Sequence, residues 1–127
     1  MSAQIEGFHH VKLPVRDLAR SREWYERVLG LEVEREFTDD DGVVRGVAGS
    51  VGGAPIALRV QEKAAAGLAG FDPVCFALAD RGRRRRVDRA PGRARRRAPA
   101  ARRGEHRLDG RVADPDGTEI RLYSRVK

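Results

Sequence analysis

Residues 9–34, HHVKLPVRDLARSREWYERVLGLEVE, switch hydrophobic period twice, and the switches decide the fold. Val11, Leu13 and Val15 alternate with polar or small neighbours, which predicts a half-buried strand. Asp17 follows as an N-cap, because its carboxylate can accept from the free amides of the next turn. Leu18, Tyr25, Val28 and Leu29 then fall along one helical stripe, and Gly30 stops the helix. LEVEREF (31–37) returns to alternation, with Leu31, Val33 and Phe37 expected opposite Glu32, Glu34 and Glu36.

The pattern continues outward. DDDG (39–42) turns the chain, VVRGVAG (43–49) is a strand, VGGA (51–54) turns it again, and PIALRV (55–60) is a further strand. Residues 7–61 therefore spell β-α-β-β-β. QEKAAAGLAG (61–70) is expected to link, with slight helical character. PVCFALAD (73–80) restarts the scheme with Val74, Phe76 and Leu78 on one face. DPDG (114–117) is a strong turn, and TEIRLYS (118–124) a strand burying Ile120 and Leu122. The class is α+β. At 127 residues the expectation is one domain, 1–127, with module one at 5–61, a linker at 62–71 and module two at 72–124.

The net charge of +7 is local. Residues 81–107 hold 13 arginines against two acids, a charge of +11, which leaves the other 100 residues at −4. Any nucleic-acid function therefore rests on that one segment, and it has no aromatic residue on which a base could stack. A lone cysteine, Cys75, cannot close an internal disulfide. No apolar run approaches membrane-spanning length, and MSAQIEGFHH lacks a signal-type apolar stretch. A cytoplasmic protein with no membrane partner is the expectation.

HHVKLPVRDLARSREWYERVLGLEVE, FDPVCFALADR (71–81) and DPDGTEIRLYS (114–124) together resemble the vicinal oxygen chelate superfamily. That group includes glyoxalase I, extradiol dioxygenases and the fosfomycin- and bleomycin-resistance proteins. The resemblance implies paired βαβββ modules whose mixed sheets curl around a ligand cup, and a homodimer. It also implies a divalent metal held by one ligand from each of four strands. His10 matches the first of these positions. Ala57, Pro73 and Arg121 stand at the other three, so His10 is the sole candidate metal ligand and the metal site is expected to be degenerate, with no cofactor.

Strand alternation indicates what the cup presents instead. Lys12 and Pro14 share a face with His10, Arg59 with Ala57, Cys75 with Pro73, and Glu119 and Tyr123 with Arg121. His10, Lys12, Arg59, Glu119, Arg121 and Tyr123 are thus the candidate ligand-binding residues, suited to a small anion such as a carboxylate held by an arginine fork. The opposing expectation is that the long cations reach into solvent, with Glu119 neutralising Arg121. His9 is expected on the rim or helix side, Cys75 as a small core residue, and the 39–41 aspartates as a solvated turn. GSVGGAP (49–55) lacks the lysine and helix of a phosphate loop. Three functions follow: a small-molecule binder with a degenerate metal site, a metal-dependent glyoxalase-like lyase or dioxygenase using His10, and non-specific nucleic-acid binding through 81–107.

The arginine-rich segment stands where the resemblance implies a helix and two strands, so the second module is expected to be disrupted over 82–111. Its residue types, Arg, Ala, Gly and Pro, are those whose main codons carry only G and C at the first two positions. Such residues flood the product when a GC-rich gene is translated one base out of frame. Shifted by one base, PGRARRRA (91–98) permits L-D-A-L-G-V-E-H, which fits the family's helix and its exit. A paired frameshift, entered near residue 81 and left near 112, accounts for the segment. Genomic DNA across codons 78 to 114 is predicted to show one base gained and one lost relative to the true gene. An unshifted gene, with an intact native mass matching the sequence as written, would contradict this.

Overall fold

The computed structural model describes residues 3–79 and 109–124, the last stretch beginning with the backbone of Asp109. The chain divides into two units, 1–62 and 63–127. In the first, β1 (Val11–Val15), β2 (Glu32–Thr38), β3 (Val44–Val51) and β4 (Ala54–Val60) form one sheet in the order β1-β4-β3-β2. β1 runs parallel to β4, while β3 is antiparallel to both β4 and β2. The parallel β1–β4 pair requires a long crossover, and α1 (Leu18–Trp24) with β2 and β3 supplies it.

One face of this sheet is the core. Leu13, Val15, Val47, Val51, Ile56 and Leu58 are buried there, and α1 packs over β3 and β4 with Ser21 and Tyr25 fully buried. Each such Leu or Ile contributes about 2 kcal/mol of apolar burial. Asp17 caps α1 as expected, its Oδ1 accepting from Arg20 N at 3.0 Å. The helix does not run uniformly to Gly30. Tyr25–Leu29 widens into a π turn in which Gly30 N reaches Tyr25 O, Gly30 ends it at φ 75°, and Leu31 N closes the end by donating to the same Tyr25 O at 3.0 Å. A glycine stands at that left-handed position at no steric cost.

β2 departs from simple alternation. Its register against β3 slips between Val33 and Arg35, so that Val33 faces Gly49 and Arg35 faces Ala48. The slip is a β-bulge, and it reverses which face later side chains take. Gly49 is what admits it, since a Cβ there would collide with the carbonyl of Glu32. Phe37 was expected beside Leu31 and Val33. It instead lies on the sheet face away from α1, 46% exposed. Glu36 takes the helix side, where its Oε2 accepts from Arg22 Nη1 at 2.8 Å.

In the second unit α2 (Glu62–Leu68) occupies most of the span expected as a linker. β5 (Val74–Leu78), β6 (Asp109–Ala113) and β7 (Glu119–Ser124) form a sheet in the order β5-β7-β6, with β5 parallel and β6 antiparallel to β7. Ile120 is fully buried. The DPDG turn forms because the buried Asp114 accepts from the amides of Asp116 (2.9 Å) and Thr118 (3.0 Å). The disruption expected over 82–111 falls almost wholly outside the described residues. Its last three, 109–111, depart from it: they run in β6, where pairing with β7 satisfies their backbone.

Ser21 Oγ is buried with no hydrogen-bond partner among the described residues. Removing an unsatisfied buried hydroxyl from a helix relieves a desolvation cost and favours the helical backbone. Ser21→Ala is therefore expected to raise unfolding stability by about 1 kcal/mol in denaturant melts. Asp17→Ala is expected to lower it by about 1 kcal/mol through loss of the cap. A destabilised Ser21→Ala protein would show that the hydroxyl has a partner.

Candidate functional site

The face of the first sheet away from α1 is assembled in rows across the strands. Lys12 on β1 is level with Ala57 on β4, Ala48 on β3 and Arg35 on β2. One step along the strands, Pro14, Arg59, Gly46 and Phe37 make the next row. Ala57, Ala48 and Gly46 thus form the floor, Lys12 stands at one side, Arg35 and Phe37 at the other, and Arg59 rises from the inner strand β4. They line a cavity of about 600 Å³ whose rim includes His9 and His10. That volume is in the range of small-molecule sites.

The charges on this face are unequal. Arg45 is paired with Asp39 at 3.0 Å. Asp39 also accepts from Asp41 N and Val43 N, as a turn-capping aspartate does. The Val43 amide first, and then the Arg45 guanidinium, hold its carboxyl below the usual range. Among the described residues Lys12, Arg35 and Arg59 form no ion pair, and Glu34 is the one further carboxylate at the cavity. Arg35 lies over the Phe37 ring, 5.2 Å from its centroid, in a cation–π contact. His9 and His10 are exposed, with their Nδ1 atoms 3.0 Å apart, one donating to the other.

Of the candidates read from the sequence, His10, Lys12 and Arg59 come together on this one cavity. Arg35 and Phe37 line it too. Alternation alone put both on the opposite face, and the one signal that could have revealed them was Gly49 as a bulge marker.

Glu119, Arg121 and Tyr123 belong to the second unit. There Arg121 Nη2 donates to Tyr123 Oη at 3.1 Å, and Nη1 is 3.7 Å from Asp72 Oδ2. The Tyr123 contact chiefly, with the charge of Asp72 behind it, strengthens the protonated guanidinium. Glu119 does not neutralise Arg121 as one expectation had it. It pairs at 3.5 Å with Arg111 on the neighbouring strand β6, diagonally across the ladder, since Glu119 itself is level with Ala113. Cys75 is exposed rather than core, because it alternates with the inward Val74 and Phe76 and lies level with Arg121.

The donor set does not fit a divalent metal. His10 offers one imidazole, Ala57 a methyl, Pro73 no donor, and Arg121 a guanidinium already engaged by Tyr123 and Asp72. Among the described residues no three His, Cys, Asp or Glu side chains converge. Stable divalent sites need about three or four such ligands. Among the same residues no helix is long and apolar enough to cross a membrane.

The fold has solved counterparts. The chain is similar to the glyoxylase/bleomycin resistance protein/dioxygenase domain from Frankia sp. EAN1pec, at 20% identity and TM-score 0.65, over 95% of this chain and 93% of that one. It is similar to the fosfomycin resistance protein FosX from Listeria monocytogenes, solved with Mn(II) and a sulfate ion, at 15% identity and TM-score 0.65, over 95% and 93%. It is also similar to lactoylglutathione lyase from Agrobacterium tumefaciens, at 15% identity and TM-score 0.62, over 97% and 96%. No curated protein matches by sequence. The family model described as Glyoxalase/Bleomycin resistance protein/Dioxygenase superfamily matches residues 7–122, and with the two-sheet α+β architecture this shows that the chain belongs to that superfamily.

Proposed function

We propose that this protein binds a small organic anion on the face carrying His10, Lys12, Arg35 and Arg59, and does so without a resident metal. The observation that carries the proposal is the excess of cations over carboxylates around a floor of Ala48, Ala57 and Gly46. Charge-assisted hydrogen bonds to a carboxylate contribute about 2 kcal/mol each. Two of them, with modest apolar burial, give an affinity of roughly millimolar to tens of micromolar. In the second unit Glu119, Arg121 and Tyr123 are that unit's own candidates for holding a ligand, with Tyr123 and Asp72 keeping the Arg121 guanidinium in place. The working state is a homodimer, as the superfamily resemblance implies.

The alternative function, a metal-dependent lyase or dioxygenase through His10, requires ligands that Ala57, Pro73 and Arg121 do not supply. Binding to nucleic acid would depend on residues 81–107, which lie outside the described residues, and would collapse with rising salt.

Calorimetric titration of the full chain with benzoate and with cyclohexanecarboxylate tests the anion site. The Lys12→Ala/Arg59→Ala double variant is expected to weaken both at least tenfold, because both side chains are exposed on the cavity and neither supports the core. Undiminished binding in that variant would refute the site. Stoichiometric tight uptake of Mn(II) or Zn(II), lost in His10→Ala, would refute the metal-free part.

A further inference from the structure

From the row Pro14–Arg59–Gly46–Phe37 we infer that the anion this site selects is planar and aromatic. The inference rests on the anion site proposed above and specifies its ligand class. Gly46 stands between Arg59 on β4 and Phe37 on β2, level with both. A Cβ built at Gly46 would sit 2.9 Å from the Leu58 carbonyl oxygen and 3.9 Å from Arg59 Cβ. Any side chain at position 46 would therefore rise against Arg59, on the cavity side, and fill the gap between the two flanking residues. With glycine there, the gap is a slot.

Its width follows from sheet geometry. Adjacent strands lie about 4.8 Å apart, so side chains two strands apart stand about 9.5 Å from one another. A flat ring in van der Waals contact on both faces takes up about 7–8 Å. That leaves about 2 Å to spare, so the width admits a planar group and a thicker puckered ring alike, and the walls decide between them. The walls also match in kind. Phe37 is 46% exposed and offers a π face. Arg59 offers a planar cation on the other side, able to stack on an aromatic ring or fork a carboxylate. Arg35 over Phe37 and Lys12 across the alanine floor add positive charge at the two sides of the same cavity. An aromatic carboxylate satisfies the slot and the charge together.

The probes are benzoate and cyclohexanecarboxylate, equal in charge and carbon count and both ionised near pH 7.5. Benzoate is expected to bind the full chain about fivefold more tightly, the size of one good aromatic contact. A merely greasy patch would favour the more apolar saturated ring. In Phe37→Leu the preference for benzoate is expected to fall to about one. Phe37 is away from the core, so this variant tests the slot without removing a core side chain. Equal or reversed preference in the parent protein, or a preference that survives Phe37→Leu, would overturn the aromatic slot while leaving the anion site standing. Failure of both carboxylates to bind would remove both.

Discussion

The cavity depends on one crowded contact between two strands. Gly49 lies where the carbonyl of Glu32 and the backbone of Val33 come too close for any side chain, and β2 slips its register there. Side chains on a strand alternate with period two, so one extra residue transfers everything after it to the other face. Glu36 turns toward α1 and meets Arg22, which also holds Glu26 at 3.0 Å and so ties helix to strand. Arg35 and Phe37 turn the other way and become cavity walls. A regular β2 would place Phe37 under the helix and Glu36 in the cavity. The bulge thus exchanges an acid for an aromatic in the cavity, and the ionic tether and the cavity face share one origin.

The electrostatics extend this. Within the first unit the carboxylates that could quench the site are largely engaged elsewhere: Asp39 in its turn with Arg45, Glu36 with Arg22, Glu23 with Arg27. Lys12, Arg35 and Arg59 are left to face Glu34 alone among the carboxylates at the cavity. In the second unit the pattern is different. Arg121 and Glu119 each have a partner, Asp72 and Arg111, and Arg121 is further fixed by Tyr123. A fixed guanidinium is pre-organised for an anion at little further entropic cost. At the four positions where the family resemblance implies metal ligands, the chain carries His10, Ala57, Pro73 and Arg121.

Much of the fold was legible because local signals agreed with tertiary packing. Asp17 and Gly30 mark the ends of the helical segment, and alternation buries Leu13 and Val15 of β1 and Ile120 of β7, while Val74, Phe76 and Leu78 of β5 and Leu122 of β7 are only half-buried. The family resemblance supplied the pairing of modules. What stayed hidden depends on contacts between strands. A bulge is created by a glycine on the neighbouring strand, so β2 alone cannot reveal it, and Phe37 was placed on the wrong face. The partners of Arg121 and Glu119 are set by cross-strand register and by the chain just before β5, which charge counting along one strand does not see. Cys75 was misread because small apolar residues suit either side of a strand, and register alone decided it.

The central claim is that the Gly49 bulge places the Phe37 ring on the cavity face. NMR nuclear Overhauser contacts from selectively ring-labelled phenylalanine test it directly. The account predicts contacts from the Phe37 ring to the Gly46 α-protons and to the Arg35 side chain. Contacts from that ring to Val28 or Leu29 on the helical side would instead show a regular β2, and would contradict the cavity as described.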